Sequence, residues 1–391
     1  MPSPEIAAVM DEVVTLRRDF HAHPELGFEE HRTAAIVAER LRAIGLTPVT
    51  GVGGTGVVAL LEGQAGPGPT VLLRADMDAL PVTEATGLEF ASTVPGKMHA
   101  CGHDCHTAVL LGAARVLWGR RALLRGRLKL VFQPAEEMVG GAAAMIADGV
   151  LEDPPVDRAF GLHVWSGTPT GQIDIAAGPI MAAADHFSLT VRGRGGHAAL
   201  PELCRDPLPA AAAIITAAQT IVTRQMPADQ TVVLSFTQIH GGEAPNVIPE
   251  EVVLGGTARA FDLALRDRLR QRLADLAGHI AAAHGVSAEL DYHEGAPPTV
   301  NDPAMTAIAR AACVAVVGAE RVKPFKPLPA GEDFGAILAR VPGCFFFVGM
   351  RDEAAGSVWP HHHPRFTVDE KVLPIAVAAM VEVARRALEA G

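Results

Sequence analysis

The sequence is short of basic charge, cysteine, aromatic side chains and long apolar runs, and each shortage removes a class of function. Lys and Arg number 33 against 44 Asp and Glu, leaving a formal charge of −11. No basic tract interrupts that deficit, so attraction to nucleic-acid phosphates or anionic lipid, which needs clustered Lys and Arg, is not expected. Five cysteines (Cys101, Cys105, Cys204, Cys313, Cys344) form an odd, scattered set without a CxxC pair. That excludes a disulfide scaffold and points to a reducing compartment with at most one metal-binding or reactive thiol. The apolar runs, such as residues 210–218 and 344–348, fall short of the roughly 18 residues of a membrane span. The first residues carry Glu5, Asp11 and Glu12 and lack the basic and apolar regions of a signal peptide. A cytoplasmic protein with no nucleic-acid or membrane partner is expected. What is abundant is apolar content, 49% over 391 residues, enough for two or three domains with a substantial core.

Short β-branched or aromatic runs recur at residues 55–62, 70–75, 128–133, 159–163 and 344–349, and several are wholly apolar, as buried strands are. Helical patterns separate them at residues 5–21, 29–44, 107–118 and 303–317. Strands alternating with helices predict an α/β fold around a mostly parallel sheet. Residues 185–294 read differently. Phe187, Leu189 and Val191 alternate in a strand; helix 207–223, strands 231–239 and 252–260, helix 263–284 and strand 288–293 follow. The order βαββαβ is that of a ferredoxin-like unit. The expected layout is a catalytic domain of residues 1–184 and 295–391, with residues 185–294 inserted as a lid or dimerisation domain. Gly178-Pro179 and Gly295-Ala-Pro-Pro298 are plausible hinges.

Gly51-Val-Gly-Gly-Thr-Gly56 matches the dinucleotide fingerprint, but its glycines precede a strand and open no helix, so it reads as a turn. The strongest signal is Cys101-Gly-His103-Asp-Cys-His106, in a Gly-containing loop before helix 107–118. The helix N-terminus there favours a thiolate, although a buried cysteine among solvated histidines is the plainer account. Glu136-Glu137 follows directly on an apolar strand. Adjacent glutamates are usually solvated, yet open α/β sheets place ligand sites outside the carboxyl ends of their strands. There one carboxylate can bind a cation while the other faces a water. Arg74-Ala-Asp76-Met-Asp78, His163 and His361-His362-His363 share that placement. Together these donors suit one or two divalent ions, and thiolate with imidazole favours Zn²⁺, Co²⁺, Ni²⁺ or Mn²⁺ over Mg²⁺. In the inserted segment, Gly193-Arg-Gly-Gly-His197, Glu243-Ala-Pro-Asn246 and Arg259 read by themselves as turn chemistry and a strand-surface charge.

These motifs resemble the M20 metallopeptidase family, in particular its aminoacylase-like branch of hippurate hydrolases, N-acyl-amino-acid amidohydrolases and auxin-conjugate hydrolases. The likeness runs through His21-Ala-His-Pro-Glu-Leu-Gly-Phe, Arg74-Ala-Asp-Met-Asp-Ala-Leu-Pro, Cys101-Gly-His-Asp, Gln133-Pro-Ala-Glu-Glu, Gly196-His-Ala-Ala, Asn246-Val-Ile-Pro, Gly331-Glu-Asp-Phe and the terminal His-x-Pro. By that resemblance Cys101 bridges two divalent ions (Zn, Mn, Co or Ni) in each subunit. His103 and Glu137 complete one ion, and His163 and His362 complete the other. Glu136 is the general base, and Asp78 orients His103 or a neighbouring ligand. The chain departs from the branch at Glu202, where a histidine is common, and at Cys105.

The implied reaction is hydrolysis of an N-acyl amino acid, aromatic or aliphatic in its acyl part, to a carboxylate and a free amino acid. Glu136 takes a proton from water and can pass it to the leaving amine. His197 stabilises the oxyanion, Arg259 holds the α-carboxylate and Asn246 assists. The resemblance implies a homodimer through the inserted domain, in which His197 acts in cis or in trans. The alternatives are a dipeptidase or carboxypeptidase of the same family, a hydrolase with Cys101 as nucleophile and His103 or His106 as base, and a member that binds without turning over.

Overall fold

Seven consecutive residues, Thr70–Asp76, are buried throughout although Arg74 and Asp76 are charged. A run buried on both faces must be a central strand, because an edge or half-exposed strand alternates. The computed structural model describes residues 3–390, and in it this run lies between two parallel neighbours. In chain order the first part comprises helices α1 (Met10–Ala22) and α2 (His31–Ala43), strands β1 (Val49–Val52), β2 (Gly56–Glu62) and β3 (Thr70–Asp76), helix α3 (His103–Arg120), β4 (Arg127–Gln133), α4 (Gly141–Ala147) and β5 (Arg158–Pro169). Then come β6 (Ala183–Arg192), α5 (Pro207–Thr220), β7 (Val232–His240), β8 (Glu251–Ala260), α6 (Leu263–Ala283) and β9 (Ser287–His293). The chain closes with α7 (Pro303–Val317), β10 (Gly343–Arg351) and α8 (Val372–Glu389).

The main sheet has the order β1-β2-β4-β3-β5-β10, continued by the two-residue strands Ile173–Asp174 and Val322–Lys323. Strands β4, β3, β5 and β10 are mutually parallel, whereas β1, β2 and β4 pair antiparallel. The largely parallel α/β sheet is therefore present. Its parallel register sets Asp76 opposite Gln133 at the carboxyl ends of β3 and β4, whereas His163, expected at a strand end, lies opposite Phe347 within β5, which runs on to Pro169. Gly53 and Gly54 take positive φ in the β1–β2 turn, as does Gly51 within β1, and the turn leads into a strand as expected.

Several expected boundaries move. The helix read over residues 5–21 divides into one turn, Pro4–Ala7, and α1. Helix α3 begins at His103, four residues before the expected start, because Gly102 caps it at φ 94, a left-handed angle that costs glycine little. Its first turn is polar and carries no apolar period to read. Among the described residues three α-helices, α4, the single turn Gly335–Leu338 and α8, lie outside the sequence reading. In α8, Val372, Leu373, Ala376, Val377, Met380, Val381 and Ala384 are all buried. These positions recur at helical spacing as one broad apolar face, with Ala378, Glu382, Arg385 and Glu389 on the opposite side.

The chain folds as two units. One comprises the residues up to Ile180, Val300–Lys326 and those from Asp333 onward; the other comprises Met181–Thr299 and Pro327–Glu332. The second unit carries an antiparallel sheet in the order β7-β8-β6-β9, with α5 and α6 contributing to its core through Ala210, Ile214, Leu273 and Ala277. Among the described residues, no helix is long and apolar enough to cross a membrane.

Candidate metal centre

The edge where the parallel strands end is built on a buried arginine. Arg74 Nη1 donates to Asp76 Oδ2 at 2.6 Å, Nη2 to Asp333 Oδ1 at 3.1 Å and Nε to Gln133 Oε1 at 2.9 Å. A buried charge is tolerable only when paired and hydrogen-bonded, and this fork is both. Burial opposes ionisation of Asp76, but Arg74 and then His103 and His106 outweigh it and hold the carboxyl well below the usual range. Asp76 Oδ1 accepts from His106 Nδ1 at 2.5 Å, while His106 Nε2 accepts from the Val164 N–H at 2.9 Å. With both nitrogens committed, His106 serves as a strut between β3 and β5.

Cys101, His103, His163, Glu136 and Glu137 are brought together, each offering an atom within 4.8 Å of others in overlapping groups of three. His103 Nδ1 donates to Asp78 Oδ1 at 3.1 Å, and its Nε2 is buried without a hydrogen-bond partner. Asp78 Oδ2 accepts from the Glu137 N–H at 2.9 Å, so one carboxylate orients two neighbouring donors. Glu137 Oε1 is likewise buried without a well-aligned partner, 3.9 Å from His103 Nε2 and 3.4 Å from His362 Nε2. His163 Nδ1 donates to the Val164 carbonyl at 2.5 Å, which turns Nε2 toward Cys101 Sγ, 3.4 Å away. Burial keeps this imidazole neutral, its pKa well below the ordinary value. Orphaned lone pairs on soft and borderline donors, backed by carboxylate and carbonyl acceptors, are the donor set a divalent transition ion requires.

The expectation of a thiolate favoured by the helix N-terminus needs correction. Cys101 stands one residue before the cap, where burial and then the facing Glu137 carboxylate push its pKa well up. Burial also opposes charge on His103, but Asp76 and Cys101 outweigh it and raise its pKa. The same carboxylates would favour a cation, whose arrival displaces protons from both residues.

The three terminal histidines differ in what occupies them. His361 is pushed down to about 3 by burial; Nε2 accepts from the Ser166 N–H at 3.1 Å and Nδ1 lies 3.9 Å from Cys101 Sγ. His363 stacks on Trp359 and accepts from the Arg365 N–H. His362, at φ 66, presents Nε2 to Glu137, and the facing carboxylate raises its pKa.

The remaining expected residues belong to the second unit. His197 and Asn246 are adjacent, since Gly196–His197 pairs with Val247–Ile248 and the Ala198 N–H donates to the Asn246 carbonyl at 3.0 Å. His197 Nδ1 accepts from the Ala199 N–H at 3.1 Å. Arg259 is half-buried on β8, and its Nη1 donates to the carbonyls of Ala258 at 2.9 Å and Asp185 at 3.2 Å and to Thr257 Oγ1. A two-pronged grip on a carboxylate would therefore use Nε and Nη2.

Sequence reasoning assigned no role to Asp333, Glu30 or His99. Asp333 ties Arg74 and Gln133 to the start of α4, accepting from Gln133 Nε2 at 2.6 Å and the Ala142 N–H at 2.8 Å. The one available signal was an arginine inside an apolar strand, which demands acidic partners from elsewhere. His99 is buried with both ring nitrogens unpartnered, and burial pushes its pKa down to about 3. The unfolded chain protonates it near 6.5, so the unfolded state binds the extra proton below that pH and stability falls with acid. Between pH 7 and pH 5 this one group removes about 2 kcal/mol. His99→Leu in metal-free protein should flatten the acid limb of a urea-midpoint profile by that amount; an unchanged limb would show that His99 is not held neutral.

Residues 72–386 match the family described as Peptidase family M20/M25/M40. An N-acetyl-L-cysteine deacetylase of Bacillus subtilis is 40% identical over 386 residues, covering 98% of this chain and 90% of the relative. A thermostable carboxypeptidase of Saccharolobus solfataricus is 39% identical over 379 residues, covering 96% and 95%. A crystal structure of a Bacillus subtilis protein, described as a dinuclear metal-binding peptidase from the M20 family, superposes with a TM-score of 0.86 at 34% identity. That match covers 98% of this chain and 99% of the other. The chain belongs to peptidase family M20/M25/M40, and it is a metal-dependent amidohydrolase.

Proposed function

We propose that the protein hydrolyses N-acyl amino acids to a carboxylate and a free amino acid, with two divalent ions held by Cys101, His103, Glu137, His163 and His362. The observation that supports this reading lies within one dipeptide: both carboxylates stand 3.9 Å from His103 Nε2, but only Glu137 also groups with Cys101 and His362 and has its N–H tied to Asp78. When bound, such ions supply Lewis acidity and bring the pKa of a coordinated water toward neutrality. Glu136 accepts the water's proton on a carboxylate oxygen and returns it to the leaving amine nitrogen. His197 donates to the developing oxyanion. Arg259 grips the α-carboxylate through its planar fork, with Asn246 as a second polar contact. The reading extends to a cytoplasmic homodimer formed through the second unit, with His197 acting in cis or in trans.

A relative named as a deacetylase of an N-acyl amino acid favours this substrate class. A relative named as a carboxypeptidase supports a second reading, cleavage of a C-terminal residue from a peptide, in which the same fork grips the same carboxylate. The Cys101-nucleophile reading is disfavoured because burial and Glu137 oppose its thiolate and His106 has no lone pair to spare.

The test is release of free amino acid from acetyl, benzoyl and indole-acyl conjugates and from unblocked dipeptides, by apoenzyme reconstituted with Mn²⁺, Co²⁺, Ni²⁺ or Zn²⁺. Conjugates should be cleaved at least about tenfold faster than dipeptides, the discrimination one well-filled acyl pocket supplies. The reverse order would favour the carboxypeptidase reading, and no release from either would overturn both.

A further inference from the structure

Glu136 and Glu137 occupy a turn whose backbone is unfavourable for its own residues. Ala135 takes φ 51 and Val139 φ 57, left-handed angles that suit glycine and that a β-branched side chain especially resists. Such conformations persist only where the surroundings over-determine them, and they gather at functional sites. The surroundings of Ala135 are specific. Its N–H donates to Glu30 Oε1 at 2.8 Å, and its carbonyl accepts from the Gly141 N–H at 3.2 Å. Gly27 leaves the space for it, since a Cβ there would lie 3.0 Å from the Ala135 Cβ.

Glu30 is fully buried at the cap of α2. Among the described residues no Lys, Arg or His pairs with its carboxylate. The Ala135 N–H takes one oxygen and Thr55 Oγ1 donates to the other. Burial pushes its pKa up, against these two hydrogen bonds. A buried carboxylate without a cation is costly to keep, and here one oxygen is spent on a backbone amide while Thr55 holds the other. Asp78 independently fixes the other half of the turn through the Glu137 N–H. The ligand half and the base half of the dipeptide thus have separate anchors.

We infer that Glu30, held by Thr55, is a positioning residue for Glu136: it fixes Ala135 in the left-handed conformation that aims the next side chain at the ligand group. This rests on the reading of Glu136 as the base. The dependence of kcat on Glu30 is then a matter of aim, and neither affinity nor metal content should follow it. Misplacement of a reacting group by about 1 Å costs on the order of 100-fold in rate.

The experiment compares Thr55→Val, Glu30→Ala, Glu30→Gln and Glu136→Gln in Co²⁺-reconstituted enzyme, reading kcat, KM, metal content and the visible Co²⁺ spectrum. Glu30→Ala should lower kcat by roughly 30- to 300-fold and Thr55→Val by roughly 3- to 10-fold, with KM within about threefold. Metal content and spectrum should match wild type in both, because Asp78 still holds Glu137. Glu30→Gln keeps an oxygen on the Ala135 N–H and should restore kcat to within about fivefold. Wild-type kcat in Glu30→Ala and Thr55→Val, or a loss that tracks metal content or KM, would overturn the inference. If Glu30→Ala does not fold, Thr55→Val decides by itself. Wild-type turnover in Glu136→Gln would instead show that the base reading had failed.

Discussion

Glu136→Gln is expected to lower kcat by about 10²- to 10⁴-fold with KM nearly unchanged, the range that removal of a general base spans. The substitution keeps the shape of the side chain and its capacity to accept a hydrogen bond, and it removes only the ability to take up a proton. Glu136 is 8% exposed, and its Oε2 lies 3.9 Å from His103 Nε2, at the border of the ligand group. Glu137→Gln should differ in kind, because it removes a donor whose Oε1 is otherwise orphaned, and metal content should fall along with rate. Full turnover in Glu136→Gln with both ions bound would remove this residue from the reaction and with it the division of roles within the dipeptide.

Exhaustive chelation is expected to abolish turnover, and Mn²⁺, Co²⁺, Ni²⁺ or Zn²⁺ to restore it, whereas alkylation of the thiol should be blocked while metal is bound. The expectation follows from the donor set. Cys101 and His103 at the start of α3 converge with His163 from β5, and without a cation the site crowds Asp76, Asp78, Glu136 and Glu137 around the His103 imidazole. Binding to the folded state alone stabilises it by about 4 kcal/mol at a metal concentration 1,000 times Kd. The chelated protein should accordingly melt lower, by several degrees at least for a chain of this size. Activity that survives chelation and falls to a thiol alkylator would transfer the chemistry to Cys101 as nucleophile.

Much of this was determined by the sequence itself. Apolar runs ending in Asp76 and Gln133 marked parallel strands with polar groups at their carboxyl ends, whereas His163, read the same way, lies within β5, which runs on to Pro169. The order βαββαβ was legible too, as periods of two and of 3.6 alternate along the chain. Cys101 and His103 were legible because they are neighbours.

The tertiary structure decided what local pattern does not encode. Three consecutive histidines are equivalent as letters, and only their neighbours distinguish them: Ser166 engages His361, Trp359 engages His363, and His362 faces Glu137. The start of α3 was hidden because a polar first turn has no hydrophobic period. Glu30 and Asp333 lie 105 and 200 residues in sequence from the partners they hold, Ala135 and Gln133. A carboxylate's role there depends on which buried donor lacks an acceptor, and that is fixed only once the sheet has closed around Arg74 and the turn after β4.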